Sequence, residues 1–393
     1  MSVEFFILTF AVLIVIGILL YNPGKNFGIP AAIIFIGVAL FIGNDQEFLF
    51  VYNNPNFTDI VSQLSLVTII FVGGLHTEFK SIKGVMKEAT LLSNLGVLVT
   101  TVALGVFVSY VTPLSITEGL LLAAIVSSTD SAAVFAVLES KNLKLKYGSD
   151  KVLEFESATN DPMAMILTLI FISILENPGE LNYGEYILFF VKQIAIGLSV
   201  AFILYHFVKF IFKNLKFKEE GLIPIFLLAL LVMIIELNSI LGGNPLISAY
   251  LLGLSINTLQ FQNKDTTLHF YNSLAWLAQS VMFLILGLEL FPDKLLAAVP
   301  NAILPTLFLF FIARPAGVFI SYLFIKTPVQ KKVFVSWCGL KGATPIVFAL
   351  MPLLHNLENA EMIFYIVSFM VLVSLIVHPL TLKPLAKKLN ITE

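Results

Sequence analysis

Charge is scarce in this sequence. Asp, Glu, Lys and Arg together make up 12% of the 393 residues, where a soluble protein carries roughly a quarter. Cysteine is nearly absent: Cys338 stands alone, which excludes an intrachain disulfide framework. A net charge of −2 leaves no basic footprint for nucleic acid. The five histidines (His76, His206, His269, His355 and His378) are scattered without ligand spacing, so no transition-metal centre and no cofactor is expected. The apolar run over residues 5–21 has no basic start and no small-residue cleavage site, and reads as a first span rather than a removable leader.

What is plentiful is apolar sequence, 58% of the chain, with a mean hydropathy of +0.95. Windows approaching the roughly 20 apolar residues that cross a bilayer recur throughout. Hydropathy and Pro, Gly and charge punctuation predict an all-α polytopic membrane protein with about thirteen spans. Their limits are near 3–21, 29–43, 58–76, 88–111, 115–138, 153–176, 184–210, 221–240, 244–258, 269–290, 299–325, 333–354 and 362–382.

These limits sort the loops by charge. Alternate connections carry Lys25; Lys80, Lys83 and Lys87; Lys141, Lys144, Lys146 and Lys151; Lys209, Lys213, Lys216 and Lys218; Lys264; Lys326, Lys331 and Lys332; and Lys383, Lys387 and Lys388. The opposite connections hold Asp45, Glu47, Asp59, Glu176, Glu180, Glu185, Asp293, Glu358 and Glu361, with Lys192 and Lys294 as their cations. The positive-inside rule then puts the C-terminus in the cytoplasm of a cell (inner) membrane and, for an odd number of spans, the N-terminus outside.

Few ionisable residues fall within spans: Asp130, Glu156, Asp161, Arg314 and Lys341. Glu236 and Glu289 lie nearer span ends and read as interfacial carboxylates, as the histidines read as interfacial side chains. A charge at a span centre costs about 2.5–3.5 kcal/mol even on the lenient insertion scale, so each of the five calls for a partner or a function.

Two of the five lie at helix breaks. The fifth span, LLLAAIVSSTDSAAVFAVL, has three serines, a threonine and Asp130 at mid-depth, groups that compete for backbone hydrogen bonds. The twelfth, VFVSWCGLKGATPIVFALM, surrounds Lys341 with Gly339, Gly342 and Pro345. The breaks are about 211 residues apart, and the same offset carries the fourth span onto the eleventh and the sixth onto the thirteenth. Interrupted spans at matching places in two halves point to an inverted-repeat transporter with a midplane site. We therefore expect one transmembrane domain, 1–393, with crossed, interrupted helices. It comprises approximate repeats 1–176 and 221–385, a linker helix 184–210 and no soluble regulatory domain within these residues.

The sixth span contains the stretch FESATNDPMA, residues 155–164. Ser157 and Asp161 are four apart and share a helix face; Glu156 and Asn160 share the neighbouring one. Pro162 lacks an N–H and leaves the carbonyl of Ala158 without its helical donor. A carboxylate, a hydroxyl and a carbonyl close together suit a hard cation, and Asp130 with the Ser128 and Thr129 oxygens can complete the shell. Arg314 is the chain's only arginine, which argues for the planar fork at that position and for Glu156 as its partner. Asp161 then remains chemically free, and one carboxylate that holds either a proton or a metal ion exchanges them by competition.

The segments FESATNDP, SSTDSAAVFAVL, ARPAGV and WCGLKGATPIVFAL resemble the signatures of monovalent cation/proton antiporters of the sodium/proton exchanger (NhaP-like) type. The likeness runs from FVGGLHTEF, at residue 71, to the last span and is strongest to the potassium/proton branch. It implies an inverted-repeat fold of about thirteen helices and a homodimer acting in pH homeostasis. It also implies exchange of Na⁺ or K⁺ for H⁺, with no enzymatic activity. By the resemblance Asp161 carries the cation or the proton, and Thr129, Asp130, Glu156 and Ser157 contribute to the ion site. Arg314 neutralises the core. Asn160, where electrogenic relatives have an aspartate, implies electroneutral exchange, and Lys341 stands where relatives commonly have arginine. The alternatives are a proton-uncoupled cation channel and an intramembrane aspartyl hydrolase using Asp130 and Asp161. The latter lacks a G-x-G-D run and gives Arg314 no role.

Overall fold

The computed structural model describes residues 3–26, 30–42, 52–130, 145–179 and 183–392. The described residues are helical, with a single isolated bridge, Leu145 to Thr392, as their β-structure. In chain order the helices are α1 (Val3–Asn26), α2 (Ala31–Ile42), α3 (Pro55–His76), α4 (Met86–Val111), α5 (Ile116–Ile125), α6 (Ser149–Glu176) and α7 (Tyr183–Asn214). They continue as α8 (Leu222–Leu241), α9 (Pro245–Asn257), α10 (Lys264–Leu288), α11 (Pro292–Phe324), α12 (Val329–Trp337), α13 (Ala343–Leu354) and α14 (Ala360–Lys388), with a single turn at Phe79–Ile82. Among the described residues, α3, α4, α6, α7, α8, α10, α11 and α14 are long and apolar enough to cross a membrane. Shorter apolar helices lie at Phe6–Tyr21, Ala31–Phe41 and in α5, α9 and α13. This is a membrane protein.

The chain divides into two compact units. One is built from Val61–Gly84 and Glu180–Gln279. Within it Asn238 of α8 donates to Ser248 of α9 at 2.9 Å, and Ser248 donates to the carbonyl of Gly197 in α7 at 2.8 Å. Tyr271 of α10 donates to the carbonyl of Pro224 in α8 at 3.0 Å. Polar side chains buried in an apolar bundle thus find their partners on neighbouring helices, which fixes how the helices meet.

The other unit is built from Met1–Ile60, Val85–Gly179 and Ser280–Glu393, and every candidate site residue belongs to it. Two of its helices stop short. α5 starts with a capping box, Ser115 and Glu118 bonding each other's backbone N–H, and ends at Ile125, where the hydroxyl-rich stretch begins. α12 ends at Trp337 and α13 begins at Ala343, leaving Cys338–Gly342 without helical structure between them. Ser131 and the rest of the fifth span, with Lys141 and Lys144, lie outside the described residues, as do Asp45 and Glu47. α4 and α11 each contain one widened π-helical turn, Leu92–Gly96 and Leu309–Ala313, and the second delivers Arg314 directly after it.

Candidate functional site

α6 continues as a helix through Pro162, and its buried face carries Glu156, Ser157, Asn160 and Asp161. Two of them hold the chain beyond α5. Ser157 Oγ donates to the carbonyl of Thr129 at 2.6 Å, and Asn160 Nδ2 donates to Thr129 Oγ1 at 2.6 Å. Asn160 Oδ1 also accepts from the Thr129 N–H at 3.4 Å. Backbone and side-chain groups set free by the break are satisfied in this way rather than left bare in an apolar interior.

The two breaks cross each other. The Asp130 N–H donates to the carbonyl of Leu340 at 2.8 Å. Lys341, wholly buried, donates from Nζ to the carbonyls of Ser128 at 2.8 Å and Ser127 at 3.3 Å. Its own N–H donates to Ser374 Oγ of α14 at 2.8 Å. Ser127 and Ser128 extend the carbonyl end of α5, the negative end of that half-helix, so the ammonium meets the partial charge that the interruption exposes. Contact is close enough that a β-carbon on Gly342 would stand 2.0 Å from Asp130 Oδ2.

Arg314 Nη2 donates to Glu156 Oε1 at 2.6 Å, with both side chains buried. The pair is joined through one nitrogen and one oxygen: Arg314 Nε and Glu156 Oε2 have no hydrogen-bond partner among the described residues. Asp161, 6% exposed, accepts from Thr344 Oγ1 at 3.3 Å through Oδ2. Its Oδ1 is buried without a hydrogen-bond partner among the described residues. The five charged groups at the crossed breaks, three carboxylates (Asp130, Glu156 and Asp161) and two cations (Arg314 and Lys341), are therefore one positive charge short when all are ionised. A single monovalent cation or a single proton restores neutrality.

The sequence matches the family model for the transmembrane sodium/hydrogen exchanger over residues 8–388. The chain belongs to the sodium/hydrogen exchanger family. It is 35% identical over 396 residues to a K⁺/H⁺ antiporter NhaP2 of Shewanella sp. (strain ANA-3), covering 98% of this chain and 67% of that one. It is 31% identical to the K⁺/H⁺ antiporter NhaP of Alkalimonas amylolytica, covering 99% and 68%. To the Na⁺/H⁺ antiporter NhaG of Bacillus atrophaeus it is 26% identical, covering 98% and 75%. Its fold is that of the sodium proton antiporter MjNhaP1 from Methanocaldococcus jannaschii: TM-score 0.84, 20% identity, 96% of this chain and all of the other.

In this exchanger-family chain the eight residues singled out from the sequence all lie in one unit, and Thr344 and Ser374 join them unannounced. Thr344 sits in the first turn of α13, two residues past Gly342. A hydroxyl just inside a half-helix that faces a second break was the available signal for it. Three readings need correction. Glu289, one residue past the end of α10, is a buried carboxylate rather than an exposed one, and it accepts from Thr58 Oγ1 at 2.8 Å and from the Asn54 N–H at 3.4 Å. His378 is buried as well, bonded to Ser374 at 3.0 Å and lying against the rings of Phe310 and Trp337. Lys331 is a buried residue of α12 rather than a solvated loop lysine: it pairs with Glu88 at 2.6 Å and donates to the carbonyl of Tyr147 at 3.0 Å.

Proposed function

We propose that this protein is a secondary antiporter that exchanges a monovalent cation, Na⁺ or K⁺, for a proton across the cell membrane, with Asp161 alternately holding one or the other. The observation that carries this reading is the charge count at the crossed breaks. Arg314 matches Glu156, Lys341 lies at the carbonyl end beside Asp130, and Asp161 keeps a buried oxygen with no hydrogen-bond partner among the described residues. In an apolar interior an unneutralised carboxylate is costly, so the site holds one positive charge at a time. A cation arriving displaces the proton, and a proton arriving displaces the cation.

Thr344, Ser157, Thr129 and Asp130 supply oxygens near that carboxylate or hold the backbone that does, a donor set suited to a hard cation. Because Asn160 is an amide rather than a second carboxylate, the deficit is one charge and the exchange is one for one and electroneutral. The two halves, 1–176 and 221–385, act as inverted repeats around the breaks, with 184–210 as the linker. The C-terminus faces the cytoplasm and the N-terminus the outside, as the lysine distribution indicates. The working unit is a homodimer, and the role is ion transport in pH homeostasis rather than catalysis.

The test is proton movement in proteoliposomes under an imposed pH gradient, challenged in turn with Na⁺, K⁺, Li⁺ and choline. Na⁺ or K⁺ collapses the gradient with the native protein and not with Asp161→Asn. A gradient indifferent to every cation, or an Asp161→Asn variant equal to the native protein, overturns the reading in favour of an uncoupled channel or another activity.

A further inference from the structure

A cavity of about 320 Å³ opens beside the second break, lined by Phe310, Phe311, Pro315, Phe319, Trp337 and Leu385, together with Val333, Ser336 and Thr381. Its walls come from α11, α12 and α14, all within the unit that carries the candidate site. They are almost wholly apolar, and Phe311 and Phe319 stand exposed on the outer surface of membrane-spanning helices. The polar side chains of the wall are already engaged: Trp337 Nε1 donates to Thr381 Oγ1 at 2.8 Å, and Ser336 Oγ to the carbonyl of Lys332 at 2.8 Å. Water has little to bind there, whereas hydrocarbon fits.

The rim is basic. Lys332 Nζ lies 5.9 Å from the ring centre of Phe319 and 5.7 Å from that of Tyr322, near the first turn of α12 and so toward one end of the helix. Lys388, three residues beyond Leu385, lies on the same face of α14 by helical periodicity. An apolar slot open to the bilayer, with ammonium groups toward its headgroup end, matches the two parts of one kind of molecule. We propose that this cavity binds an anionic phospholipid, one acyl chain in the aromatic slot and the phosphate beside Lys332.

The slot's inner wall leads to the site. Trp337 is the last residue of α12 before the break, and its ring lies 5.1 Å from that of His378. His378 bonds Ser374, and Ser374 accepts the Lys341 N–H. The occupant of the slot therefore touches the structure that orients the break.

The chain has two tryptophans, Trp276 and Trp337, so a Trp276→Phe variant reports on the slot alone. It is reconstituted in a fixed mixture of phosphatidylcholine and phosphatidylglycerol, with bromine on the acyl chains of one lipid or the other. Brominated phosphatidylglycerol is expected to quench Trp337 about fivefold more per molecule than brominated phosphatidylcholine, the preference equivalent to ~1 kcal/mol from one lysine at the headgroup level. Lys332→Gln, a change at the partly exposed rim, brings the two lipids toward equality. Equal quenching by both lipids in the Trp276→Phe protein, which is ordinary bilayer contact, overturns the proposal. So does a preference that Lys332→Gln leaves untouched. Neither readout depends on transport, so the lipid site and the antiport reading stand or fall separately.

Discussion

Lys341 Nζ donates to the carbonyl oxygen of Ser128 at 2.8 Å, so a buried ammonium on one interrupted helix closes the carbonyl end of the other. A cation at a helix C-terminus stabilises it by up to ~2 kcal/mol in a partly buried setting. Lys341→Gln removes the charge and leaves those carbonyls facing an apolar interior, and exchange in proteoliposomes is expected to fall by at least about tenfold. Lys341→Arg keeps the charge and retains most of the rate. Equal loss in both variants would show that shape, not charge, is what this position supplies.

Gly342 answers to geometry instead. A β-carbon there would stand 2.0 Å from Asp130 Oδ2 and 2.6 Å from its Cβ, so Gly342→Ala pushes the two breaks apart. Overpacking of this kind costs about 1–3 kcal/mol, and the displaced Asp130 should abolish exchange while the protein still inserts. Gly73→Ala is the control, since a β-carbon at Gly73 has nothing within 4 Å. Melting curves in detergent, with transport measured on the same preparations, distinguish the two. A fully active Gly342→Ala would mean that the crossing is looser than the contact distance implies.

Glu156 and Arg314 form a buried pair in which Glu156 Oε2 and Arg314 Nε have no hydrogen-bond partner among the described residues. Removing one member leaves the other as an uncompensated buried charge, at about 3–5 kcal/mol, whereas replacing both with apolar residues of similar size is often neutral. Glu156→Gln and Arg314→Gln should therefore each lower the melting temperature sharply, and Glu156→Leu combined with Arg314→Met should recover most of it. Transport is the second readout. The double variant has the same formal charge as the native site, so a stable but inactive double variant would give the pair a part in transport beyond charge balance.

The sequence disclosed more of this unit than its length would suggest. Spans were legible because a bilayer demands a composition that nothing else does, and the breaks because Ser, Thr, Gly and Pro beside a charge cannot serve an ordinary span. The Glu156–Arg314 contact was legible because one arginine among 22 lysines (23 basic residues less one) implies a need that lysine does not meet. Hidden from view were contacts made by the crossing itself. Thr344 meets Asp161 across 183 residues of chain, and the tolerance at Gly342 depends on where Asp130 comes to rest. Lys331 looked like one more loop lysine because its partner Glu88 lies 243 positions away (331 − 88). The π-helical turn at Leu309–Ala313 left no residue signal, since apolar residues of the same kinds form regular turns elsewhere in α11, whereas the one at Leu92–Gly96 contains Ser93, Asn94 and Gly96, polar and small residues whose spacing did not mark a widened turn.

Asn160 gives the most direct test of the charge count. It holds Thr129 through Nδ2 and Oδ1 and adds no charge of its own, so the five ionisable groups around it lack one positive charge. With one cation leaving as one proton enters, no net charge crosses, and a potential imposed with a permeant anion should change the native rate by less than about twofold. Asn160→Asp adds a fourth carboxylate and raises the deficit to two charges. Exchange of two protons for one cation then moves a net charge, worth ~2.3 kcal/mol per 100 mV, which allows rate changes of up to about fiftyfold. The substitution also removes the Nδ2 donor to Thr129, so Asn160→Ala, which removes the donor without adding charge, is measured beside it. Potential dependence in Asn160→Asp but not in Asn160→Ala assigns the effect to charge. A native protein that already responds to potential means that the deficit at the site is not what sets the stoichiometry.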